Sequence, residues 1–346
     1  MLNFCTLFDS NYLARGLSMH QSLQRKSSPF QLYVLAFDES SRTYLQKANI
    51  TNLTVITMDE FQDPELLSVK PGRTNAEYCW TCTPSLILYC IEKFGLDDCT
   101  YIDADMIFYD DPKILIDEDP SASVIISEHR YTRDFDVSAT HGVYCVQFMY
   151  FKNNEDGRTA LKWWRDRCLE WCYAYLEDGK FGDQKYLDDW TSRFSGVHVM
   201  KHEGAGVAPW NLQQFEFKID DGKIFLQLVG ARHWHPLIFF HFHGLKFYSN
   251  HMLSLTGTMY DIGDDVKQII FIPYVKSLLE MERSIRKTGT NFNPNGRNNP
   301  SPSKWNIFIQ FIKERIILIL KGKINPFRMS KLNFRHFNHY YPINQF

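Results

Sequence analysis

Residues 99–109 read CTYIDADMIFY, an apolar run with two carboxylates set into it. The apolar and β-branched residues predict a buried strand, with Asp103 and Asp105 standing at its end. On a strand, residues two apart point to the same side. Two carboxylates then face one point at the carboxyl edge of the sheet, where open α/β sheets bind ligands. Paired carboxylates repel each other, so a partner cation is expected. Hard oxygen donors suit Mg²⁺ or Mn²⁺, and an ion held there would bind a diphosphate and stabilise it as a leaving group. Asp-x-Asp also occurs at Asp117–Asp119 and Asp134–Asp136. Neither of those copies ends an apolar strand, and both read as solvated turns.

Outward from this stretch, short apolar runs alternate with helical patterns. Strands are expected at LNFCTLF (2–8), QLYVLAF (31–37), LTVITM (53–58) and ASVIIS (122–127), with helices over 11–23, near 40–48 and over 83–94. Pro84 is placed near the start of the last helix, where proline is tolerated, and Gly95 ends it. Alternation of this kind predicts an α/β fold with a mainly parallel sheet. Beyond residue 140, a strand or strand pair is expected over 142–151. An aromatic-rich helix follows over 157–176, and a strand running into a loop over 236–248.

Several clusters could carry chemistry. His233, His235, His241 and His243 fall in one short stretch, and His241-Phe242-His243-Gly244 would put two imidazoles on one strand face. Either could complete the carboxylate site, and mixed Asp/His ligation favours Mn²⁺; stacked histidines at a strand end are the plainer alternative. DSNY (9–12) follows the first strand, so Asp9 and Asn11 either cap the next helix or hydrogen-bond a base or ribose at the sheet edge. GKFGDQKYLDDW (179–190) sets Asp183 and Gln184 between glycine and aromatic residues, and HEGAGVAPWN (202–211) ends in Trp210 and Asn211. A flat aromatic platform with a few fixed polar groups suits a sugar pocket.

Taken in order, strand–DSNY, strand–YVLAFD, YIDAD, GDQ and HFHGLK resemble the nucleotide-sugar-dependent glycosyltransferases of the GT-A fold, most of all the family 8 type or a bacterial family close to it. The resemblance covers residues 2–250. It implies that Asp9, Asn11 and Tyr12 contact the base, that Asp103 and Asp105 bind the metal, with Asp103 also facing the nucleotide, and that Asp183 and Gln184 lie beside the transferred sugar. The family's late motif is His-x-x-Gly-x-x-Lys-Pro-Trp, with a metal-binding His and a Lys on the diphosphate. Here His241 and Gly244 match, Lys246 comes one residue early, and Phe247-Tyr248 replace Pro-Trp. Metal ligation by His241 or by His243 stays open at this stage. At 142–148 this chain has Cys145 and Gln147 where the family shows Asn and Gly, so the acceptor side is expected to differ. A sugar nucleotidyltransferase would carry a G-x-G-T-R-like loop where this chain has DSNYLARG. A sugar-nucleotide-binding module without transferase activity would not need Asp103, Asp105 and a late His together. The implied activity is transfer of a hexose from a nucleoside diphosphate sugar, with a UDP-sugar favoured. A glycan or lipid-linked molecule would accept it, in bacterial surface polysaccharide (lipopolysaccharide or capsule) synthesis.

Composition agrees with a folded enzyme. The 346 residues are 44% hydrophobic and 23% charged, with 38 Lys+Arg against 40 Asp+Glu, which argues against disorder and against nucleic acid as a partner. The eight cysteines sit mostly in apolar runs, as buried free thiols do. Only Cys79 and Cys82 form a Cys-x-x-Cys, and no second pair matches their spacing. The N-terminus lacks a basic leader and no apolar run reaches a membrane span, so a cytoplasmic protein is expected. Residues 287–303, rich in Asn, Gly, Pro, Ser and Thr, read as a flexible linker after a catalytic domain over 1–286. From 304 to 346 follows an amphipathic tail with Lys304, Lys313, Arg315, Lys321, Lys323, Arg328, Lys331 and Arg335 against the single acid Glu314. Peripheral attachment to an anionic membrane surface is expected of such a tail.

Overall fold

A computed structural model describes residues 1–325, 327 and 332–346. Its centre is a sheet of seven strands in the order β3-β2-β1-β4-β7-β6-β8. In chain order these are β1 (Leu2–Phe8), β2 (Phe30–Ala36), β3 (Leu53–Thr57), β4 (Asp98–Ile102), β6 (Val124–Glu128), β7 (Tyr144–Lys152) and β8 (Val197–Val199). β1 pairs parallel with β2 and β4, β2 with β3, and β6 with β8. β7 alone runs antiparallel, against β4 and β6. The expected mainly parallel α/β sheet is present.

Both faces of the sheet are covered, which is why its strands read as apolar runs rather than as alternating ones. Phe4, Leu32 and Val34 belong to a core shared with helices Leu13–Lys26 and Ile272–Arg286. Their neighbours Cys5, Tyr33 and Leu35 join the opposite core under helices Asn75–Phe94 and Glu155–Glu170. All cysteines are free, and all but half-buried Cys79 are buried. Cys5, Cys90 and Cys99 meet where β1 and β4 pack under helix 75–94; burial pushes the Cys5 and Cys90 thiols up, so these act as small neutral packing groups.

Three local expectations need correction. Helix 75–94 begins well before Pro84: Thr74 and Glu77 form a reciprocal capping box, and burial of Tyr78, Cys82, Leu86 and Ile87 offsets the cost of an interior proline. The aromatic helix stops at Glu170, and Trp171 is already extended. The run 99–109 is two strands, β4 and β5 (Met106–Phe108), with Asp103–Asp105 in the turn between them. The two carboxylates are therefore presented by a turn, not by one strand face.

The remaining strands are short. β9 (Phe215–Asp220), β10 (Lys223–Leu228) and β11 (His235–Pro236) form one antiparallel group. β12 (Phe239–His241) pairs with β5; β13 (Lys246–Phe247), β14 (Met252–Ser254) and β15 (Tyr340–Pro342) form another group. The stretch expected as a flexible linker is tied down: the Pro294 carbonyl accepts from Ala14 N at 3.1 Å, and Asn295, 1% exposed, donates to Glu282. Amide side chains supply here the fixing that apolar burial supplies elsewhere.

The tail forms a helix over Lys304–Leu320. Ile307, Phe311 and Leu318 are buried on one side, the latter two packing with Phe135 and Phe337. The other side leaves Trp305, Phe308, Ile312, Ile316, Ile317 and Leu320 exposed. Arg315, expected among the surface charges, is 2% exposed, donates to the Thr258 and Met259 carbonyls and stacks on Phe337. Arg328 and Lys331 lie outside the described residues. Among the described residues no helix is long and apolar enough to cross a membrane.

Candidate active site

The site is built where β5 meets β12. Their antiparallel register sets Phe239 opposite Phe108, Phe240 opposite Ile107 and His241 opposite Met106. Phe242 N donates to the Asp105 carbonyl at 3.0 Å, holding the strand end against the acidic turn. His241 Nε2 thereby lies 3.1 Å from Asp105 Oδ1 and 3.7 Å from Asp103 Oδ2. One donor atom from each of Asp103, Asp105 and His241 falls within 4.8 Å of the others. The turn fixes Asp103 further: Tyr101 Oη donates to Asp103 Oδ1 at 2.9 Å, and Asp103 N donates to the Gln147 carbonyl at 3.1 Å.

Burial opposes charge on all three groups, but they are coupled. Burial raises the Asp103 carboxyl, with His241 opposing. For Asp105 burial also pushes up, but His241 more than offsets it and holds the carboxyl at about 2. Burial lowers the His241 imidazole, yet Asp105 and Asp103 keep it well above its ordinary value. His241 Nε2 thus faces both carboxylates, the place where paired acids call for a cation.

Gln147 is what orients His241. Its Oε1 lies 2.9 Å from His241 Nδ1, and the side chain is fully buried. With the Nδ1 proton held by Gln147 Oε1, Nε2 would offer its lone pair to a metal held by the two carboxylates, the usual arrangement behind a metal-ligating histidine. The donor set, two carboxylates and one oriented imidazole, fits Mn²⁺ or Mg²⁺. Gln147→Leu keeps the volume but leaves Nδ1–H unpaired. Mn²⁺ affinity is expected to fall by about 10–100-fold, measured by calorimetry; unchanged affinity would reduce the amide to core filling.

The glycine-rich stretch 202–211 lies alongside β12. Ile238 N and His241 N donate to the Gly204 and Val207 carbonyls at 2.9 Å each. A Cβ on Gly204 would sit 1.9 Å from the Pro236 carbonyl oxygen, so only glycine permits this approach. Trp210 and Asn211, expected at a sugar pocket, have their polar donors spent on backbone: Trp210 Nε1 and Asn211 Nδ2 both donate to the His129 carbonyl, at 2.8 and 2.9 Å. The Trp210 ring stands edge-on to His241, 5.4 Å between centroids, and braces it. His243 is not part of the acidic group: β12 ends at His241, and the His243 ring packs against Trp210 at 5.5 Å. His233 and His235 lie elsewhere; His235 is 3.7 Å from Glu203.

Asp183 is 5% exposed and its carboxyl is raised well above the usual range, by burial first and by Asp103 second. Asp183 thus lies near enough to Asp103 to feel its charge. Trp164 Nε1 holds the Asp183 carbonyl at 2.9 Å, and Gln184 Nε2 donates to the His141 carbonyl at 2.6 Å. The first turn also converges here. Asp9 accepts from Asn11 N and Nδ2 at 3.0 and 2.8 Å, so it caps the turn and fixes the Asn11 amide together. Tyr12 is 41% exposed, and burial together with Asp105, Asp9 and Asp103 raises its hydroxyl pKa against the pull of Arg15. Arg15, not singled out from the sequence, is buried, lies 4.4 Å above the Tyr12 ring and donates to the Leu245 carbonyl at 3.1 Å. It ties the first turn to the start of β13 at Lys246, whose side chain is exposed.

No family model matches the chain. Two curated relatives come from Bacillus subtilis (strain 168). YfnD, described as an uncharacterized protein, is 31% identical over 283 residues, 80% of this chain and 88% of its own. YfnF, described in the same words, is 32% identical over 254 residues, 71% and 82%. Among solved structures, the galactosyltransferase LgtC, described in complex with donor and acceptor sugar analogs, is 15% identical and aligns with 88% of this chain and 99% of its own at a TM-score of 0.48. The glycosyltransferase GlyE of Streptococcus pneumoniae TIGR4 is 17% identical over 58% of this chain and 46% of its own, at 0.38. These structural likenesses are too distant to bear on chemistry.

Proposed function

The chain belongs to the family of YfnD and YfnF, and we propose that it is a metal-dependent glycosyltransferase of the GT-A type. It moves a sugar from a nucleoside diphosphate sugar, UDP-linked by preference, to a glycan or lipid-linked acceptor in bacterial surface polysaccharide (lipopolysaccharide or capsule) synthesis. The observation that carries this is the group Asp103, Asp105 and His241, its imidazole oriented by Gln147. A divalent cation held there supplies charge neutralisation of the departing diphosphate. Asp9, Asn11 and Tyr12 receive the nucleoside, and exposed Lys246 reaches the phosphates. Asp183 and Gln184 position the sugar. The acceptor approaches from the Trp210 side, where a cavity of about 330 Å³ opens between Glu128, Tyr131, Asp136 and Gln214, polar groups suited to hydroxyls.

Residues 1–286 make the catalytic unit in this proposal, 287–303 the connection, and 304–346 a tail that holds the cytoplasmic enzyme peripherally on the inner face of the plasma membrane. The exposed apolar side of helix 304–320, flanked by Lys304, Lys313 and Lys321, supports that location. The double variant Ile316→Asp, Leu320→Asp is expected to lower co-sedimentation with anionic vesicles by about tenfold or more. Equal partitioning of variant and parent, or indifference to anionic lipid, would leave the tail as packing alone.

The transferase proposal is tested by screening UDP-, GDP- and CDP-sugars for release of the diphosphate with and without Mn²⁺. Slow donor hydrolysis that needs the metal is expected. Nucleotide binding with no turnover in the presence of acceptor glycans would favour a sugar-nucleotide-binding module, and release of pyrophosphate from a nucleoside triphosphate a nucleotidyltransferase.

A further inference from the structure

We infer that the segment Asn293–Ser301 is a wall of the nucleotide site, and that Asn298 is a positioning residue that fixes the Asn11 amide and so helps set which nucleobase is accepted. This rests on the glycosyltransferase proposal above.

The segment is anchored on both sides of the first turn. On one side, Pro294 O accepts from Ala14 N, one of the free amides that every helix start leaves. Asn295 Nδ2 and an Arg297 guanidinium nitrogen both donate to Glu282 Oε2, at 2.8 and 2.7 Å. On the other side, Ser249 N donates to the Asn299 carbonyl at 2.9 Å, and Ser301 N to Asn250 Oδ1 at 3.1 Å. Arg297 also lies 5.1 Å from the Phe247 ring centroid. The segment therefore bridges the DSNY turn and the β13 region that carries Lys246, the two places assigned to the nucleotide.

Between these anchors it touches Asn11. Gly296 has φ +67°, and a Cβ there would stand 3.3 Å from Asn11 Cβ. Asn298 Nδ2 donates to Asn11 Oδ1 at 2.9 Å, while Asn11 Nδ2 donates to Asp9 at 2.8 Å. Both ends of the Asn11 amide are thus spoken for. A flipped amide would set its oxygen against the Asp9 carboxylate and its NH₂ against the Asn298 NH₂. In the locked orientation one N–H and one lone pair stay free, a donor and an acceptor on the same amide. That pattern complements the imide edge of uracil. With cytosine in the same place, the free lone pair would face the lone pair of the ring nitrogen instead of an imide N–H.

The test uses the full chain saturated with Mn²⁺, with UDP and CDP affinities measured by calorimetry. Asn298→Asp keeps the shape but replaces the donor facing Asn11 Oδ1 by an acceptor; Asn298→Ala removes it. Both are expected to weaken UDP by about tenfold, in the range of one lost site hydrogen bond, and to lower the UDP:CDP affinity ratio. Thermal midpoint and Mn²⁺ affinity should stay at parental values. If the parent binds UDP and both variants match it in affinity and ratio, the inference fails alone. An equal loss for both nucleotides with a lowered midpoint makes Asn298 merely structural and also overturns it. If the parent binds Mn²⁺ but no nucleotide, the donor proposal fails and takes the inference with it.

Discussion

Asp105→Ala is expected to lower metal-dependent sugar-nucleotide turnover by about 10³-fold or more. A bound cation contributes several kcal/mol of charge stabilisation at a leaving diphosphate, and each 1.36 kcal/mol is a factor of ten. Asp105 is the carboxylate closest to His241, at 3.1 Å, and its carboxyl stays ionised because the imidazole outweighs the cost of burial. Removing it leaves Asp103 and an imidazole without their shared partner. The backbone should hold, since the bond from Phe242 N goes to the Asp105 carbonyl and not to its side chain. UDP affinity in parent and variant, each with Mn²⁺ and with chelator, reads the effect. The parent should lose most of its affinity with chelator and the variant should show little difference. Equal enhancement by metal in both would remove Asp105 from the metal site.

For Asp183→Asn the expected result is a fall in turnover of about 10²-fold, the usual loss when a positioned polar group is removed. Diphosphate binding should stay close to parental. Asp183 is held by its own backbone rather than by the nucleotide turn: Trp164 grips its carbonyl. Burial first, and the charge of Asp103 second, raise its carboxyl above the usual range. Asparagine matches its size, so turnover and binding separate cleanly. Collapse of UDP binding with an unchanged thermal midpoint would move Asp183 from the sugar to the nucleotide.

The alternation of apolar runs with helical patterns determined the sheet, because strands covered on both faces must be apolar throughout. β1, β2, β3, β6 and β7 lie within a residue or two of their expected positions. The ligand chemistry was also legible, since two carboxylates beside apolar residues call for a cation whatever their backbone does. What the local pattern could not supply was pairing between distant segments. Register between β5 and β12 joins residues more than 130 positions apart, and it sets His241 3.1 Å from Asp105. The same pairing brings Gln147 behind the imidazole and turns Trp210 and Asn211 from expected pocket walls into supports. The linker-like composition of 287–303 was real, but low apolar content says nothing about amide side chains finding Glu282 and Asn11. In the tail, amphipathy was readable from residue spacing. Which side packs was not, because that depends on Phe135 and Phe337 reaching the helix from far along the chain. Local composition and periodicity thus determined the layers and the kind of chemistry; only tertiary contact, whose partners no short window contains, decided which side chains share the site.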